Sequence, residues 1–176
     1  MSGQGVVLYG PPASGKDTIT HALHLRDPSF VQFRRLKCGS GRTTGYRMIS
    51  RDELAETRRR GDVLWENSRY GSTYVVDRSF LLQQVSEGKV PVVHLGQVEA
   101  VDAVISGVPL TWTVVELVCP RDVALQRITA RQTGDTDDRI TAFDATERLP
   151  SPDLVIDTST IEPDEAASLI LAGQKP

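Results

Sequence analysis

The run Gly10-Pro11-Pro12-Ala13-Ser14-Gly15-Lys16 constrains this chain more than any other feature. It fits the pattern GxxxxGK. It stands between an apolar run, Val6 to Tyr9, and a segment from Asp17 to Leu25 in which Ile19, Ala22 and Leu23 recur at helical spacing. The order predicted is buried strand, tight loop, helix. The glycines let the backbone curl so that successive N–H groups point inward, the helix N-terminus adds positive dipole, and Lys16 brings a point charge. Such a loop is suited to phosphate. Gly10, Pro11, Pro12, Ala13, Ser14, Gly15, Lys16, Asp17 and Thr18 are therefore the candidate ATP-binding residues, with Lys16 also a candidate catalytic residue.

One position in the loop is irregular. Where Ser or Thr normally ligates magnesium there is Asp17, followed by Thr18. A carboxylate can hold Mg²⁺ directly or through water, but it also adds negative charge beside the phosphates, and an acid in the first turn of a helix is favoured by the dipole alone. Asp17 and Thr18 are the candidate metal residues, with Mg²⁺ the expected cofactor.

Beyond the loop, strands and helices alternate. Ser50-Arg51-Asp52-Glu53 is a capping box that opens a helix ending at Gly61. Another helix is expected from Val76 to Glu87, stopped by Gly88. Val90 to Leu95 reads as a buried strand, Glu99 to Ser106 as a short helix, and Thr113 to Val118 as a strand. A helix is expected from Arg121 to Arg131, a last strand over Leu154 to Asp157, and a last helix from Pro163 to Ala172. The pattern implies an α/β sandwich of three layers around a mostly parallel sheet.

The chain has 176 residues, enough for one domain, and its 39% hydrophobic and 24% charged residues match a folded protein. Its net charge is −3, but Arg26 to Arg60 carries ten Lys or Arg against four acids, which leaves −9 on the rest. The overall balance argues against a general nucleic-acid or membrane-surface binder, and the basic segment suits a small anion or a solvated helix face. No apolar run approaches a membrane span or a secretory signal, and Cys38 and Cys119 have no metal-ligand or redox spacing. A cytoplasmic protein in a reducing environment is expected, either monomer or homodimer, with ATP and a small phosphorylated acceptor as its partners.

Further motifs follow the loop. Tyr46-Arg47-Met48-Ile49-Ser50 precedes the capped helix, and Leu64-Trp65-Glu66 and Tyr70-Gly71-Ser72-Thr73 come after it. Arg127, Arg131, Thr133-Gly134-Asp135 and Arg139 then follow a second helix. Taken in this order, the motifs resemble the guanylate kinase family over residues 5–157. The resemblance implies a P-loop NTPase core over 1–33, 75–126 and 147–176, an acceptor-binding lobe over 34–74 and an arginine lid over 127–146. It implies transfer of the γ-phosphoryl group of ATP to a nucleoside monophosphate, with Tyr46, Tyr70 and Ser72 matching the family's acceptor-phosphate contacts.

The residues themselves support an anion site there. Arg35, Lys37 and Arg42 lie in one short basic stretch and can hold a dianion. Arg127 and Arg131, four apart on a helix, share a face, and Gly134 allows a turn that returns Arg139 toward them, so all three are expected to close over the phosphates. An acceptor that is already an ionised phosphate needs no general base. The sequence departs from the family at both guanine-reading acids: Leu64 precedes Trp65, which leaves Glu66 as the nearest carboxylate, and Val93-His94-Leu95-Gly96-Gln97 replaces Asp-x-Asp, which makes His94 and Gln97 candidate acceptor contacts. The Lys-Asp-Thr run and Trp65-Glu66 to Tyr70-Gly71 also resemble ribose 1,5-bisphosphate phosphokinases, which lack those acids. A third reading is a non-catalytic guanylate-kinase-like binding module, for which a decayed phosphate loop is expected.

Overall fold

A strand of Val6, Val7, Leu8 and Tyr9 has no polar face, so it must be covered on both sides. In the computed structural model, which describes residues 3–69 and 71–174, β1 (Gln4–Tyr9) is the middle strand of a five-stranded parallel sheet. The sheet order is β2 (Phe30–Gln32), β7 (Val90–Leu95), β1, β8 (Thr111–Val118) and β9 (Leu154–Asp157). Alternation along β1 divides the core. Val6 and Leu8 pack with Ile19 and Leu23 of α1 (Lys16–Arg26) and with Ala166, Ala167 and Ile170 of α7 (Pro163–Ala172). Val7 and Tyr9 face Leu81 of α3 (Arg78–Ser86) and Val101 and Val104 of α4 (Val98–Gly107). The result is a three-layer α/β sandwich. Each buried Val, Leu or Ile among these contributes about 1.5–3 kcal/mol relative to exposure.

A second, smaller sheet rises from one edge, in the order β4 (Arg47–Met48), β3 (Leu36–Cys38), β6 (Ser72–Asp77) and β5 (Val63–Arg69). Its β3–β6 and β5–β6 pairs are antiparallel, and α2 (Arg51–Arg59) packs Leu54 against Leu36 and Val75. The expected capping box is present: Ser50 Oγ accepts from Glu53 N–H, and Glu53 accepts from Ser50 N–H.

One predicted boundary moves. The expected helix from Val76 to Glu87 begins only at Arg78, because Val75 and Val76 are β-branched, fully buried and paired in the small sheet. Asp77 ends that strand, and Arg47 of β4 holds its carboxylate through both guanidinium nitrogens. The Arg47 guanidinium also lies 3.7 Å from the ring centre of Phe80 in α3. This cluster joins the small sheet to the sandwich. The remaining helices are α5 (Arg121–Ala130) and α6 (Thr136–Ala145), the latter in a segment for which only a turn was expected, and Arg121 bonds Asp144 to tie them together.

No described helix is long and apolar enough to cross a membrane.

Candidate functional site

The loop between β1 and α1 has the shape its glycines predict. Gly10 N–H donates to Leu95 O at 3.1 Å, and a Cβ there would stand 2.8 Å from Leu117 O, so no larger residue fits. Gly15 caps α1 with φ of 97°, which a glycine adopts without cost. Ala13 adopts φ of 62°, where an L-residue is strained by about 1 kcal/mol. Lys16 Nζ turns back into the loop and donates to Gly10 O at 2.6 Å and Pro11 O at 2.8 Å. Burial, reinforced by Arg35 and Arg131, pushes the Lys16 pKa down to about 7.

Three clefts meet around this loop. An inner cleft of about 460 Å³ lies between the loop and the small sheet, and six cationic side chains reach it: Lys16, Arg35, Lys37, Arg42, Arg69 and Arg139. The one carboxylate lining it among the described residues is Asp135, which pairs with Arg139 at 2.8 Å. A second cleft of about 260 Å³ runs along the loop itself, bordered by Asp17, Thr18, His94 and Arg131. Pro12, Lys16, Arg35, Arg42, Tyr46 and Arg139 border both, so the two open into one another. A third cleft of about 530 Å³ lies on the outer side of the loop, between Arg127 and Arg131 on one wall and Thr158, Ile161 and Pro163 on the other.

Within the inner cleft, Lys37 is almost wholly buried, with its ammonium 5.5 Å from the ring centres of both Tyr46 and Tyr74 and bonded to Arg42 O at 2.7 Å. It thus sets the loop that carries Arg42. Ser72 Oγ donates to Ser40 O at 3.1 Å and braces the same loop. Half-buried Arg35 donates to His94 O, which fixes its fork at the junction of the two clefts. Gln97 borders the inner cleft as expected from its position after β7. Tyr70 lies outside the described residues.

Several expectations are corrected. Glu66 faces away from the inner cleft and bonds Arg58 at 3.0 Å, because side chains alternate along β5 and Asn67 and Arg69 take the cleft side. His94 borders the loop cleft and not the inner one. Its Nε2 lies 2.7 Å from Thr20 Oγ1, and burial beside Lys16 pushes its pKa down to about 3, so it is neutral. Arg127 shares the outer cleft with Arg131 but no cleft with Arg139, so the three do not converge. Arg127 donates to Ala13 O at 3.0 Å and to Thr158 O at 2.7 Å, which fastens the phosphate loop to the turn after β9. Arg131 and Arg139 do meet at the loop cleft.

Residues absent from the expected set also border the clefts, among them Asn67, Arg69, Tyr74 and Thr158. Asn67 Oδ1 is buried and has no hydrogen-bond partner. Strand parity, read from Arg69 back along β5, is the signal that points to Asn67 in place of Glu66.

The side chains fit a magnesium ion that arrives with its own ligands. Among the described residues no three His, Cys, Asp or Glu cluster to form a metal cage. Asp17 and Thr18, exposed at the mouth of the loop cleft, offer hard oxygen donors of the kind Mg²⁺ prefers.

No family model and no curated protein sequence matches the chain. Among solved structures, the guanylate kinase of Anaplasma phagocytophilum matches with a TM-score of 0.62 at 17% identity, over 99% of this chain and 88% of that one. The protein designated APE1195 matches with a TM-score of 0.57 at 17% identity, over 99% and 98%. The chain has a guanylate-kinase-like fold.

Proposed function

We propose that the chain is a kinase that moves the terminal phosphoryl group of ATP to a small acceptor already bearing a phosphate, a nucleoside monophosphate. The observation that carries this reading is the shared border of the two inner clefts. Lys16, Arg35, Arg42 and Arg139 stand where the end of one phosphate chain would meet another. Phosphoryl transfer needs that alignment and charge neutralisation more than it needs covalent chemistry.

In this reading the loop amides and Lys16 hold the β- and γ-phosphates, and the donor nucleoside lies in the outer cleft against Arg127, Thr158 and Ile161. Arg35, Arg42 and the Tyr46 hydroxyl grip the acceptor phosphate, with Lys37 and Ser72 keeping their loop in shape. Arg131 and Arg139, both able to hold two phosphate oxygens at once, neutralise charge on the moving group. Asp17 and Thr18 would hold a magnesium ion that, when bound, would supply further positive charge to the phosphates. An ionised acceptor phosphate attacks without a general base, which accords with the neutral state of His94.

A second reading has one specific observation in its favour. Asn67 and Gln97 are neutral amides, and no unpaired carboxylate borders the inner cleft among the described residues, while six cations do. That balance suits an acceptor with two anionic groups, such as a bisphosphorylated sugar, better than it suits guanine. Measuring ADP release from ATP with GMP, dGMP, AMP, CMP, UMP and ribose 1,5-bisphosphate decides between them. Turnover with none, together with no thermal stabilisation by ATP where ~100 times Kd would add ~2.7 kcal/mol, would leave a binding module.

A further inference from the structure

In nucleotide-binding loops of this type the metal is normally shared between a loop hydroxyl and a carboxylate at the end of a neighbouring strand. This chain has the two kinds of donor the other way round. The carboxylate, Asp17, is in the loop position, and the neutral donor, His94, stands near the end of β7, the strand paired with β1. Their facing atoms, Asp17 Oδ1 and His94 Nδ1, are 3.7 Å apart. That gap is too long for a hydrogen bond and shorter than two metal–ligand bonds of about 2.1 Å laid end to end.

The hydrogen bonds behind His94 decide what Nδ1 can do. Thr20 Oγ1 has a single proton and lies 2.8 Å from Lys16 O, which can only accept. Thr20 Oγ1 also lies 2.7 Å from His94 Nε2. Both contacts are hydrogen bonds only if Nε2 carries the ring proton and donates it to Thr20. Nδ1 then holds a lone pair, and it faces a carboxylate oxygen that also has only lone pairs to offer. Two acceptors held face to face are poorly matched to each other and well matched to a cation. A ring N–H anchored to a polar group on the far side is the arrangement that orients metal-binding histidines. Asp17 is exposed and its side chain is free to turn toward the ion, held otherwise by one long contact of 3.4 Å from Gln32.

We propose that Asp17 Oδ1 and His94 Nδ1 together bind the divalent cation that enters with the nucleotide, and that this oxygen-and-imidazole pair favours Mn²⁺ or a similar first-row ion over Mg²⁺. The assignment replaces Thr18 with His94 and rests on the reading of the loop as an ATP site. The remaining coordination positions fall to phosphate oxygens and water, since no third His, Cys, Asp or Glu among the described residues joins the pair.

The test begins with ADP affinity measured in EDTA, which examines the nucleotide reading alone. Mn²⁺ is then titrated into the ADP complex and its pulsed electron paramagnetic resonance spectrum recorded. The expected result is modulation from a directly bonded nitrogen that changes when histidine is labelled with ¹⁵N and disappears in His94→Gln. His94→Gln should weaken Mn²⁺ binding to the ADP complex about tenfold or more, with ADP affinity in EDTA within about twofold of wild type; Asp17→Asn should weaken Mn²⁺ binding about as much while ADP affinity in EDTA rises, because a negative charge beside the phosphates is removed. His94→Asp should shift the preference back toward Mg²⁺. Bound Mn²⁺ without nitrogen modulation in the wild-type protein overturns the assignment, and this measurement needs no variant to fold. No ADP binding in EDTA overturns the nucleotide reading and the metal assignment with it.

Discussion

Lys16 releases its proton near pH 7 in the folded chain and near its ordinary value of 10.5 when unfolded. Between those values the unfolded state binds more protons, so this residue makes the empty protein more stable as pH rises through that window. A phosphate chain in the loop has the opposite effect and draws the proton back. ADP binding in EDTA between pH 7 and 10.5 should therefore take up protons, seen as a dependence of calorimetric heat on buffer ionisation enthalpy that is lost in Lys16→Met. Ala13 gives a second prediction at this scale. Replacing it with glycine removes strain at φ of 62° but loosens the unfolded chain, so Ala13→Gly should change stability by less than about 1 kcal/mol in urea titration. Its carbonyl still accepts from Arg127. At the same scale, Lys16 and the loop glycines were legible because their roles are set by local backbone geometry. Glu66 was misread because it was the nearest carboxylate to stand in for an acid missing before Trp65, whereas its direction depends on the parity of a strand that the polar run Glu66-Asn67-Ser68-Arg69 conceals.

Among the elements, the three-residue β2 and the helix α6 were not expected, whereas the other strands and helices of the sandwich were legible from their apolar runs, spacing and caps. Leu154–Asp157 and Pro163–Ala172 have the predicted limits, the latter opened by its proline. The small sheet was not. Its strands β3 and β4 have three and two residues, too few to show a period, and they are stabilised by partners distant in sequence. The joint between sheet and sandwich is the Arg47–Asp77 pair, with Asp77 only 4% exposed. Asp77→Ala leaves the Arg47 guanidinium without its partner beside Phe80, and should cost about 3 kcal/mol in urea titration. Ser50→Ala, which removes one half of the α2 capping box at the surface, should cost about 1 kcal/mol and leave the joint unchanged.

For the whole molecule, the separation of charge is the dominant feature. The basic segment from Arg26 to Arg60 supplies Arg35, Lys37 and Arg42 to a cleft in an otherwise acidic protein. Field lines are focused into such a cleft, and salt weakens them as the Debye length falls from about 30 Å at 0.01 M to about 8 Å at 0.15 M. The value of kcat/KM for the acceptor should fall several-fold over that range while kcat changes little, measured under saturating ATP. Arg42→Gln should flatten the salt dependence.

The contact of Arg127 with Ala13 and Thr158 also bears on how the molecule is made. The loop leaves the ribosome more than a hundred residues before the arginine that fastens it, and the turn that arginine grips comes later still. The loop is thus completed long after it is synthesised, and a nascent chain halted before β9 carries it without its outer wall.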